Sequence, residues 1–80
     1  METINIKTDV KELQKIMIDK GFRTITSLSI ASGVHRNTLG KVLNGEMQPS
    51  TDVMFKLVAT LELSELDAGR IFFARDLRDA

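Results

Sequence analysis

Apolar residues recur every three or four positions along most of the chain, and turn-forming residues interrupt the pattern at short intervals. Residues 1–7 differ: Ile4 and Ile6 alternate with polar neighbours, which predicts a short extended lead-in. Val10, Leu13 and Met17 then share one helical face, widened at its edges by Ile16 and Ile18. Asp9 and Glu12 have capping-box spacing, so this first helix starts near Thr8 or Asp9. Lys20-Gly21 ends it, with a glycine suited to a left-handed cap.

Four more helices follow by the same logic. Thr24 caps a short one over residues 25–32, and Gly33 stops it. A third runs from about Arg36 to Leu43, with Leu39, Val42 and Leu43 apolar and Asn44-Gly45 as its stop signal. After the loop Glu46–Pro49, Ser50 or Thr51 caps a fourth, with Val53, Met54, Leu57, Val58 and Leu61 on one face. Ser64 and Asp67 open a C-terminal helix that spans 64–80 and carries Leu66, Ile71, Phe72, Phe73 and Leu77. The expected architecture is all-α: five short helices in a single domain over residues 1–80.

Composition narrows the function. The 80 residues include no cysteine, tryptophan or tyrosine, so the core is mainly Leu, Ile, Val and Met, with Met17, Met47 and Met54 as filler. No disulfide, thiolate zinc site or cysteine nucleophile is possible. No phosphate loop, metal-ligand cluster or nucleophile with a spaced base is visible, so neither an enzyme nor a cofactor is expected. His35, the only histidine, reads as a solvent-facing residue at a helix start. No apolar run reaches the length of a membrane span and no signal peptide is indicated, which fits a cytoplasmic protein. Eleven basic and eleven acidic residues cancel, but the distribution is uneven. From Lys20 to Gly45 there are Lys20, Arg23, Arg36 and Lys41 and no acid at all.

That basic stretch is also where two helices meet across a tight link. Gly33 fits a turn needing positive φ, where a side chain would also obstruct the helix pair. Ser29 is small where the second helix must approach the third. The outward side of the third helix is polar: His35, Arg36, Asn37, Thr38, Lys41 and Asn44. A helix end so furnished can enter a major groove, where Arg pairs with guanine and Asn with adenine. Thr24, Lys41, Asn44 and the amides of helix starts can hold phosphates.

Residues 8–63 resemble the helix-turn-helix domain of the Cro and phage-repressor (XRE-type) family, which includes small temperate-phage regulators. The match is carried by Ser32-Gly33-Val34, Arg36, Thr38-Leu39 and Val42-Leu43-Asn44-Gly45, followed by Pro49 and the amphipathic stretch Val53–Leu63. The resemblance implies a five-helix, lambda-repressor-like fold. It also implies a homodimeric transcriptional regulator that reads double-stranded operator DNA with the start of its third helix. It gives base contacts to Arg36, Asn37 and Lys41 and a phosphate contact to Asn44; Thr24 and Thr38 are further candidates for phosphate contact. Ile25 stands where the family usually has a phosphate-anchoring Gln, Ser29 where it has Ala, and Ile30 and Ala31 where charges are usual.

These departures motivate a second expectation. Ile25 and Ile30 near the DNA-facing side would offer an apolar patch to a partner repressor, making the chain a modulator of repression or antirepressor. In the last helix, adjacent Ile71, Phe72 and Phe73 cannot all face one way. Phe72 is therefore the expected dimer contact. The charges Asp67, Arg70, Arg75, Asp76, Arg78 and Asp79 read as helix-surface pairs.

Overall fold

The chain's architecture is given by a computed structural model that describes residues 6–75. In order these form β1 (Ile6–Lys7), α1 (Val10–Asp19), α2 (Ile25–Ser32), α3 (Arg36–Leu43), α4 (Thr51–Leu61), α5 (Glu65–Phe72) and β2 (Ala74–Arg75). Every helix starts on a side-chain acceptor. Asp9 receives the Glu12 N–H, Ser50 that of Val53, Ser64 that of Asp67, and the His35 ring Nδ1 that of Asn37. Thr24 and Ser27 cap each other reciprocally: the Ser27 N–H donates to Thr24 Oγ1 and the Thr24 N–H to Ser27 Oγ.

The helix ends are as explicit. Gly21 and Gly45 have φ of 94° and 75°. Beyond them the N–H of Phe22 donates to Met17 and that of Glu46 to Lys41, which closes α1 and α3 with paired C-terminal bonds. α4 closes the same way, with the Leu63 N–H on the Val58 carbonyl, but its left-handed residue is Glu62 at φ 54°.

Leu13 and Met17 of α1, Leu28 of α2, Leu39, Val42 and Leu43 of α3, Val53, Leu57 and Leu61 of α4, and Ile71 and Phe72 of α5 form one core, joined by Val34 from the turn. α2 packs on α3 and α4, and α1 on α3 and α5. Two polar ties reinforce this packing. Gln14 of α1 donates its side-chain amide to the Leu43 carbonyl at 2.9 Å, and Arg70 reaches both Asp67 and, at 3.5 Å, Glu12. No helix among the described residues is long and apolar enough to cross a membrane.

The structure corrects the reading of the C-terminal segment. The expected helix over 64–80 ends at Phe72, and Ala74–Arg75 instead pairs antiparallel with Ile6–Lys7, Ile6 opposite Arg75. The carbonyls that would continue the helix are engaged elsewhere: Ile71 O accepts the Asp9 N–H at 2.7 Å and Phe72 O accepts Gln48 Nε2 at 2.6 Å. Phe72 is not an outward dimer contact but a core residue, 1% exposed, while Phe73 turns out at 57%. Leu66, on the same helix, is also exposed, as is the expected filler Met47. Ile4, Leu77 and the charges at Asp76, Arg78 and Asp79 lie outside the described residues.

Candidate nucleic-acid interface

At 3.6 residues per turn, α3 buries Leu39, Val42 and Leu43 and leaves the opposite arc to Arg36, Gly40, Asn44, Asn37 and Lys41. This arc and the start of α2 enclose an open depression of about 580 Å³, lined by Ile25, Arg36, Asn37, Gly40, Lys41 and Asn44, with Glu46 at its rim. The three expected base-reading residues are thus brought together with Asn44 in one concave surface. Arg36, Asn37, Lys41 and Asn44 are all exposed. Neither Arg36 nor Lys41 is held in an ion pair among the described residues, so both are available to a phosphate or a base edge.

The link between the two helices is fixed from both sides. Gly33 takes φ 78° and its N–H donates to the Ser29 carbonyl. The Ser29 hydroxyl donates to the Val34 carbonyl at 2.6 Å, and the Val34 N–H donates to the Ser32 hydroxyl at 3.2 Å. Val34 is buried. A Cβ built on Gly33 meets nothing within 4 Å, so the glycine is needed for its backbone conformation and not, as the spacing suggested, to clear the helix pair.

Other expected contacts are placed differently. Thr24 is exposed at the start of α2, where it accepts the Ser27 N–H and keeps its hydroxyl proton to donate. Of the first amides of α2, that of Ser27 is taken by the Thr24 hydroxyl oxygen, and those of Ile25 and Thr26 have no acceptor within the helix. Thr38 is half-buried and lies away from the depression, apart from the other phosphate candidates. Ile25 and Ile30 do not form one patch. Ile25 packs partly on the core and lines the depression, whereas Ile30 is 79% exposed and does not line it. Sequence reasoning passed over Gly40 and Glu46. Helical phase could have found Gly40, which lies one turn from both Arg36 and Asn44.

The family model of the Cro/C1-type HTH DNA-binding domain matches residues 12–67. The chain belongs to that family. The match runs from α1 into α5 and includes both helices of the depression, so the surface described above falls within a Cro/C1-type DNA-binding domain. None of the curated proteins compared with the chain matches it.

Proposed function

We propose that the chain is a sequence-specific transcriptional regulator that places α3 in the major groove of operator DNA. The observation that carries this reading is the convergence of unpaired Arg36 and Lys41 with Asn37 and Asn44 on one exposed concavity of a Cro/C1-type domain. Arg36 and Asn37 present forked donors and acceptors to base edges, and Lys41 adds a charge near the backbone. Thr24, Asn44 and the α2 amides take phosphates, and Thr38 takes one at the edge of the contact. One helix reads only a few base pairs, so a homodimer on two half-sites about 34 Å apart supplies the specificity. Leu66 of α5 and Phe73 just beyond its end, both exposed, are the surface we assign to that contact.

The test is a binding titration against selected and random duplexes. Arg36→Ala and Asn37→Ala abolish the preference for the selected duplex, and Lys41→Ala weakens both and lowers the salt slope by about one. An Arg36→Ala variant that keeps the wild-type preference for the selected duplex would count against this placement of α3.

A second reading rests on Ile30, an isoleucine almost fully in solvent on the helix that precedes the reading helix. Through it the domain binds a partner repressor and modulates repression. Ile30→Asp leaves DNA binding and the fold intact and removes the partner; retention of the partner excludes that surface.

A further inference from the structure

Gly40 sits in the middle of α3, where glycine is less favourable than alanine. Its helical backbone does not require it, and an added Cβ would meet nothing within 4 Å. The gap it leaves therefore serves something outside the chain. Ile25 of α2, an apolar residue, lines the same depression as Gly40, Arg36 and Asn37. The two helices cannot drift apart to change that spacing, because Ser29 and Ser32 both bond to Val34 in the link. The depression thus brings one apolar side chain, Ile25, and an open glycine position together with residues that can hydrogen-bond bases.

In the major groove, thymine alone among the four bases presents a methyl group. We infer that Ile25 and the gap at Gly40 together receive a thymine 5-methyl group, making the pair a specificity determinant beside the polar readers. This rests on the proposed docking of α3 in the groove and adds a contact from α2 that discriminates by shape and apolarity. An A·T pair suits both kinds of contact, its adenine bonded by Asn37 and its methyl placed against Ile25.

The full chain is used to select duplexes from a random-sequence pool, and each thymine in the selected duplex is then replaced singly by deoxyuridine. That change removes the methyl and keeps the base pair. At one thymine per half-site, replacement weakens wild-type binding about fourfold, the value of one buried methyl-sized group. Ile25→Ala brings the thymine-to-uracil ratio at that position close to one. Gly40→Ala, which fills the gap without touching the rest of the chain, reverses the ratio, and its melting curve shows that it folds. A ratio of one at every position in the wild-type chain overturns the inference while leaving DNA binding intact. So does a ratio unchanged in both variants, or a Gly40→Ala loss that is equal for thymine and uracil duplexes. A pool that enriches no sequence overturns the DNA-binding reading itself.

Discussion

The hydroxyl of Ser29 donates to the carbonyl of Val34 at 2.6 Å, joining the last turn of α2 to the residue just past the link. The bond is part-buried and, with the Ser32 hydroxyl on the Val34 N–H, is one of two side-chain contacts that hold the link. Ser29→Ala, the smallest possible change, leaves the Val34 carbonyl without this donor. The expected loss is about 1 kcal/mol in denaturant unfolding, with little change in m-value. A stability within experimental error of the wild type would show that the link is held by packing of Val34 alone.

Gly33 supplies the second test of that link. Because a Cβ there finds open space, only the left-handed backbone opposes a side chain. Gly33→Ala is expected to cost about 1–2 kcal/mol and Gly33→Asn clearly less, since Asn tolerates that conformation better. Equal costs for the two would point to a steric cause instead.

These two residues also show what the sequence made legible. The starts of four of the five helices were readable because Asp9, Thr24, Ser50 and Ser64 are short polar side chains followed by apolar periodicity, and each caps its helix. The α2 and α3 boundaries, and with them the exposed polar face of α3, followed directly. The end of α5 was not readable. Its charges keep helical spacing beyond Phe72, and what stops the helix is Gln48, far away in the chain, taking the Phe72 carbonyl. A two-residue strand has no period to detect, so the β1–β2 pairing was invisible too. Which of Phe72 and Phe73 faces inward depends on the rotation of a short helix, and that is set by packing.

Glu62 is the one described non-glycine residue at positive φ, and it closes α4 where glycine closes α1 and α3. The conformation serves the closing bond of α4, and among the described residues no side-chain hydrogen bond or ion pair of Glu62 offsets its strain. Glu62→Gly should therefore stabilise the fold by roughly 1 kcal/mol, which for a domain of this size raises Tm by several degrees. A lower Tm would mean that the glutamate side chain compensates for its own conformation.

Gln48 bridges three segments: it accepts from the Thr8 hydroxyl at 2.9 Å and donates to the Phe72 carbonyl at 2.6 Å. Gln48→Leu removes both bonds and leaves the buried Thr8 hydroxyl without its acceptor. We expect a loss of about 2–3 kcal/mol. Hydrogen exchange should quicken at Asp9, whose N–H bonds to Ile71, before it quickens at α3. Uniform acceleration would show that the bridge is integral to the whole fold.

Glu46 places a carboxylate at the rim of an otherwise basic hollow. Glu46→Gln is expected to tighten binding to any duplex about two- to fivefold at low salt, with the gain vanishing as salt is raised. A gain confined to one sequence would instead assign Glu46 to base reading.

The pairing of Ile6–Lys7 with Ala74–Arg75, and the Gln48 bridge beside it, have a consequence for the order of folding. They join segments from opposite ends of the described chain, whereas α2, the link and α3 are neighbours in sequence. Closing the long loop costs more chain entropy than forming that local pair. The α2–link–α3 unit can therefore assemble first, during or soon after synthesis, and the terminal clasp then locks a surface already in place.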